Sequence, residues 1–308
     1  MPKNKYDKYA TYTLLNSLTD KYIFVTINGM ARYTIQQFKA EYPDDNACLQ
    51  AVFDNRYGDL TICPKCGVTD TKFYRVKKRQ CYACMHCGYQ LHPLANTIFR
   101  KSSTSLWNWF YAIYLFSNAK NGVSAKELER QLGVTYKTAW RMAKQIRILM
   151  AQETGKFMGV VEADETYIGG RRKVDHYHDN KTPVVAIVEK RGRIKAKKLD
   201  RRANASDIMP YLYENIEPLS VLHTDKSHIY SKAHQTYKHR SVDHGVGTYV
   251  KNGIHTNTLE GFFSQLKRSI NGTYHSVSPK YLNNYVDEFV FRYNHRYEPI
   301  CPVLLARV

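Results

Sequence analysis

The rhythm of apolar and polar positions changes along the chain, and each change predicts a different element. Residues 1–60 read as an N-terminal helical segment. The densest apolar run, in SSTSLWNWFYAIYLFSNAKNG, predicts a buried helix capped by the Ser102–Thr104 cluster. In SAKELERQLGVTYKTAWRMAKQIRILM, Ser124-x-x-Glu127 is a capping-box start, and Leu128 and Leu132 form the inward stripe of a short helix. Gly133 ends it, and Thr135 caps a second helix. That helix carries Lys137, Arg141 and Lys144 on one face, opposite Trp140, Met142, Ile146 and Leu149.

From residue 157 the pattern turns to strands. FMGVVEADETYIGG runs apolar into Glu162, Asp164 and Glu165, and PVVAIVEKRGRIKAKKL predicts a hairpin turning at Arg191-Gly192. ASDIMPYLYENI predicts a helix, and SVLHTD a short strand ending on Asp225. In HTNTLEGFFSQLKRSI, Leu259, Phe262, Phe263, Leu266 and Ile270 make one helical stripe. Asn257, Glu260, Ser264 and Lys267 stack on the other face. Strands alternating with helices after two helical segments predict an α/β chain of more than one domain.

Composition narrows the class. At 43% apolar and 24% charged, the 308 residues can bury a large core and are not globally disordered. Leu106–Phe116 is interrupted by Asn108 and is far shorter than the ~20 residues of a membrane span. MPKNKYDKYA lacks the apolar centre of a secretory signal, so neither a membrane nor a secreted protein is expected. The net charge is +19, and its distribution matters more than its size. Residues 1–60 are balanced, residues 61–150 hold fifteen Lys and Arg against three Asp and Glu, and the remainder is mildly basic. A local excess of this kind fits a polyanion binder better than a face kept basic for solubility.

Five of the seven cysteines fall between Cys63 and Cys87. Cys63-x-x-Cys66 and Cys84-x-x-Cys87, each followed by Gly, make a zinc-ribbon pattern. Two intervening residues let one tight turn offer two thiolates to a single ion. Cys81-x-x-Cys84 is an equally spaced alternative, but Cys87-Gly88 repeats Cys66-Gly67, which favours Cys84 and Cys87. A full thiolate shell leaves no open position, so the expected Zn²⁺ is structural. Beside this ribbon, in the basic segment, the helix–turn–helix pattern becomes a DNA-binding expectation, with Lys137, Arg141 and Lys144 as contacts.

Acids at the ends of apolar strands cost solvation energy unless they bind a cation or a base. Asp164 and Asp225 sit at such positions, and Glu260 and Lys267 share one helical face, which suits a divalent ion beside a phosphodiester. Asp164 to Asp225 is 61 residues, Asp225 to Glu260 is 35, and Lys267 lies seven beyond Glu260. This spacing resembles DDE transposases. The strings CPKCG, HPLANTIF, GVSAKELERQLGVTYKTAWRM, ADETYIGG, HTNTLEGFFSQLKR and FRYNHR resemble, in that order from about Asp45 to Leu305, bacterial insertion-sequence transposases of the ISXO-like group, prokaryotic relatives of the Merlin superfamily.

The resemblance implies a ribonuclease-H-like catalytic core, a mixed sheet with flanking helices, over residues 153–308. Ahead of it come a zinc ribbon over 61–99 and a helix-turn-helix segment over 100–152. It places Mg²⁺ or Mn²⁺ ligands at Asp164, Asp225 and Glu260, prefers Asp164 over Glu162 and Glu165, and puts a DNA-contacting lysine at Lys267. Because some relatives use Asn as the third letter, Asn257 is an alternative to Glu260. The implied activity is metal-dependent cleavage at terminal inverted repeats, then joining of the freed 3′-hydroxyl to target DNA, without a covalent protein–DNA intermediate. The implied setting is a homo-oligomer on double-stranded DNA, cytoplasmic and nucleoid-associated. Two other readings keep part of this: a transposase-derived DNA-binding protein without catalysis, and a metal-dependent nuclease with the same core.

Overall fold

The computed structural model describes residues 25–27, 30–169, 181–190, 192–200, 203–242 and 257–308. The described part of residues 1–60 holds strands as well as helices. β1 (Val25–Ile27) and β2 (Met30–Arg32) pair antiparallel ahead of α1 (Ile35–Glu41) and α2 (Asp45–Tyr57). Then β3 (Phe73–Arg75), β4 (Tyr82–Cys84) and β5 (Gln90–Leu91) make a small antiparallel sheet, docked on α2 where Phe53 stacks on Tyr82 at 3.9 Å between ring centroids.

The apolar run forms α3 (Leu106–Asn118), and its cap is Ser105, whose hydroxyl accepts from the Asn108 N–H at 3.2 Å. Ser102, in the cluster expected to cap it, instead accepts from the Trp109 indole at 2.9 Å. α4 (Ala125–Leu132) starts on Ser124 and ends at Gly133, and α5 (Tyr136–Leu149) starts on Thr135, as the sequence predicts. Only half of the expected capping box forms, because the Glu127 carboxylate turns to Arg130 and Gln131. These helices share one apolar core with α2 and the ribbon.

The strand-rich part is a five-stranded mixed sheet. β6 (Val160–Ile168), β7 (Thr182–Glu189) and β8 (Ile194–Lys198) form an antiparallel meander. β9 (Val221–Asp225) lies parallel on the other side of β6, and β10 (Lys238–Val242) lies parallel beyond it. This order and these directions are those of a ribonuclease-H-like sheet. Alternation along the strands gives two apolar faces. Val161, Ala163, Val185, Ile187 and Leu222 face α6 (Ala205–Asn215). Ile168, Val184, Ala186 and Val188 face α7 (Asn257–Ser269) and α8 (Leu282–Asn294). Helix α9 (Ile300–Ala306) returns to pack on α3 and so joins the N-terminal core.

The outer margin of β8 is covered by side-chain amides. Asn294 accepts from the Ile194 N–H at 2.8 Å and donates to its carbonyl at 3.0 Å, and Gln152 does the same for Ala196 at 3.0 and 2.6 Å. Asn283 accepts from the Lys198 N–H at 3.2 Å, and Asp287 orients both Gln152 and Asn283. Buried edges need such partners, since an unpaired backbone group is expensive.

A second polar joint ties α5 to α8. Arg147, 4% exposed, donates to the fully buried Glu288 at 2.8 Å, and Arg292 donates to the same carboxylate at 2.7 Å and to the Phe116 carbonyl at 2.7 Å. Tyr274, in the π-helical turn after α7, donates to Glu288 at 3.0 Å. The loop entering α4 passes so close that a Cβ on Gly122 would lie 1.7 Å from the Tyr274 hydroxyl, which only glycine avoids.

Candidate active site and zinc ribbon

β6 and β9 bring the two aspartates together by register. Glu162 pairs with His223 in the last rung of a parallel ladder, so two residues beyond it Asp164 and Asp225 lie on the same face of the sheet. Each carboxylate accepts one backbone N–H: Asp164 from Glu165 at 2.8 Å, Asp225 from Ser227 at 3.1 Å. α7 crosses this face because Leu259, Phe262, Phe263 and Leu266 bury against it. A second stripe to the side of it, Asn257, Glu260, Ser264 and Lys267, stays exposed. Glu260 is in the first turn, and Lys267 lies about 10 Å further along the axis.

Burial raises the Asp164 carboxyl to about 7, with the nearby charges of Glu165, Asp225 and Glu260 adding to the effect. Like charges gathered in a desolvated place are poorly stable by themselves and are relieved by a cation. The donor set is hard oxygen only, which fits Mg²⁺ or Mn²⁺. The three neighbouring acids now separate on physical grounds. Glu165 points to the opposite face, where it accepts from the buried Tyr230 hydroxyl at 2.5 Å. Glu162 is on the Asp164 face but one row deeper, 2% exposed, and accepts from Thr258 at 3.2 Å.

The ribbon brings four sulfurs together. Cys63, Cys66, Cys84 and Cys87 place every Sγ within 4.8 Å of the others, with Cys63–Cys87 at 3.7 Å and Cys66–Cys84 at 4.0 Å. A tetrahedral ZnS₄ centre with ~2.3 Å bonds has S–S edges of ~3.8 Å, so the quartet fits the ion. Each knuckle closes through the glycine N–H, Gly67 to the Cys63 carbonyl and Gly88 to that of Cys84, with φ of +69° and +68°. The Thr71 hydroxyl, 3.4 Å from Cys84 Sγ, is the main cause that pulls this thiol down to about 6, with backbone N–H groups assisting. Cys81 is not part of the quartet: it is buried, its Sγ 3.6 Å from the side-chain amide oxygen (Oε1) of Gln90. We expect one zinc per chain and a ribbon that unfolds in Cys63→Ser, with Cys81→Ser milder than Cys84→Ser. Zinc content unchanged in Cys63→Ser/Cys66→Ser would refute the site.

The three basic residues expected to contact DNA are not equivalent. Lys137 is exposed at the start of α5, beside the exposed Tyr136. Arg141 donates to the Arg100 carbonyl at 2.8 Å and lies over Trp109. Lys144 lies over the rings of Trp140 and Tyr281, which meet edge to face, so Trp140 sides with the basic residues and not opposite them, where the sequence placed it. Arg147, one turn on, is consumed by the joint with Glu288. Among the described residues no helix is long and apolar enough to cross a membrane.

A protein described as uncharacterized, in transposable element ISH50 of Halobacterium salinarum, is 26% identical over 263 residues, covering 77% of this chain and 86% of that protein. Two solved structures are distant: a pre-cleavage Mos1 transpososome at 12% identity and TM-score 0.24, over 64% of this chain and 78% of that one, and a Mos1 mariner paired end complex with Mn at 9% and 0.18, over 63% and 78%. Residues 43–90 match the transposase zinc-ribbon domain, a span that starts just ahead of α2, and residues 156–294 match the ISXO2-like transposase domain. The chain therefore carries an ISXO2-like transposase domain behind a transposase zinc ribbon.

Proposed function

We propose that this transposase cuts the terminal inverted repeats of its element by phosphodiester hydrolysis and joins the freed 3′-hydroxyl to target DNA by transesterification. The observation that carries the proposal is the alignment of Asp164 and Asp225 on one face of the sheet, under the exposed first turn of the helix bearing Glu260. These three carboxylates would hold the divalent ions. Bound there, two Mg²⁺ or Mn²⁺ ions would supply activation of the attacking hydroxyl and stabilisation of the leaving oxygen. Lys267 holds a backbone phosphate two turns along α7, and Asn257 orients DNA or water from the same exposed stripe.

Lys137 is the residue of the basic trio best placed to reach DNA, while Arg141 and Lys144 brace α5 through Arg100, Trp109, Trp140 and Tyr281. Work on two element ends calls for more than one copy of the chain, so a homo-oligomer on double-stranded DNA is part of the proposal. The zinc ribbon keeps a structural role. The decisive test is divalent-ion-dependent cleavage of DNA carrying the coding region with its flanks. Asp164→Asn should lose cleavage, keep DNA binding, and be no less stable than the wild type without metal, because it removes repulsion from the cluster. If Asp164→Asn cleaves at the wild-type rate, the assignment fails.

A further inference from the structure

One buried carboxylate beside the acid cluster has no part in the chemistry above. Glu162 lies two residues before Asp164 on β6, so its side chain shares the Asp164 face and sits one row deeper, beside its register partner His223. Both are buried, Glu162 at 2% and His223 at 6% exposure. The Thr258 hydroxyl donates to Glu162 Oε1 at 3.2 Å. Thr258 is in the first turn of α7, two residues before Glu260. Placing a carboxylate in such a position is unfavourable unless something compensates it. The Thr258 hydroxyl offsets part of that cost at Oε1, and the positive end of the α7 dipole lies on the same side.

The apolar stripe of α7 holds the helix against the sheet, but leucine and phenylalanine contacts permit small rotations and slides. A hydrogen bond to a strand residue of fixed register does not. We infer that Glu162 and Thr258 are positioning residues, a latch that sets the rotation of the first turn of α7 and so holds Glu260 toward the row of Asp164 and Asp225. The inference rests on the reading of those three acids as ion ligands. It predicts that breaking the latch weakens ion binding without removing a ligand, as happens when groups that orient metal ligands are lost.

The test uses the full chain, with Mn²⁺ titrated in the DNA-cleavage assay and DNA binding measured separately without metal. Thr258→Val, which keeps shape and loses the hydroxyl, should raise the half-saturating Mn²⁺ concentration about tenfold, with cleavage largely restored at saturation and DNA binding unchanged. Thr258→Ser should behave as the wild type. Glu162→Asp, which withdraws the carboxylate by one methylene, should reproduce the Thr258→Val shift and serves as the second arm if Thr258→Val folds poorly. An unaltered Mn²⁺ dependence in Thr258→Val or Glu162→Asp, or a Thr258→Ser as impaired as Thr258→Val, overturns the latch. If Asp164→Asn and Asp225→Asn still cleave, the ligand assignment has failed and the latch falls with it.

Discussion

Glu260→Gln should abolish both cleavage and strand transfer in Mg²⁺ while DNA binding survives. Asn257→Ala should retain measurable cleavage. The two residues share the exposed stripe of α7, one turn apart, so geometry along the helix does not choose between them. Charge does. A carboxylate offers two anionic oxygens to ions carrying a combined +4, whereas an amide offers one neutral oxygen. The electrostatic influence of Glu260 on Asp164 puts its charge within reach of the cluster. Ion-centred stabilisation of a transferring phosphoryl group contributes several kcal/mol, so losing the third ligand should slow cleavage by about a thousandfold or more. An active Glu260→Gln beside an inactive Asn257→Ala would make Asn257 the ligand and void the charge argument.

The second large effect concerns stability. Glu288→Ala should destabilise the protein by about 3–5 kcal/mol, because it strands Arg147 and Arg292 in a buried place without their counter-charge. Burial by itself would raise the Glu288 carboxyl, but Arg147 and Arg292 outweigh it and hold the group below the usual carboxylate range. The sign follows: its stabilisation is complete above the unfolded-state value and is lost as pH falls through the lower folded value. Acid unfolding of the wild type should therefore show a component that Glu288→Gln lacks. Pairing Glu288→Leu with Arg147→Met should recover part of the loss, since removing the charges together also removes the desolvation they suffer. Thermal melts of the single and double variants measure this. A Glu288→Ala melting within 2 °C of the wild type would show the joint to be dispensable.

What the sequence revealed divides along physical lines. Periodicity located β6, the β7–β8 hairpin, α6, β9 and both faces of α7, because each of these elements buries one face against a neighbour. Local spacing located the zinc quartet, because a thiolate knuckle is built within a few residues and a glycine repeats after each. The choice among Glu162, Asp164 and Glu165 was different. Alternation alone separates Glu165 from the other two, but which face receives α7 is decided by packing across the sheet. Helix periodicity put Arg141 and Lys144 with Lys137, and nothing local shows that Arg100, Trp109 and Tyr281 would engage them. Arg147 and Glu288 are 141 residues apart, so their pairing left no local trace.

The covered margin of β8 has a consequence for how the chain is made. Its amide partners come from Gln152, before the first strand of the sheet, and from Asn283 and Asn294 on a helix near the end of the sequence. β8 can pair with β7 as a hairpin as soon as both are synthesised, but its outer side stays open until α8 arrives, some hundred residues later for Asn294. Such distant closures form late and slowly. During that interval the strand presents unpaired N–H and C=O groups, a template for pairing with another copy. Lys195, Lys197 and Lys198 are spread along that short strand, and their mutual repulsion between copies opposes such pairing before the amides close it.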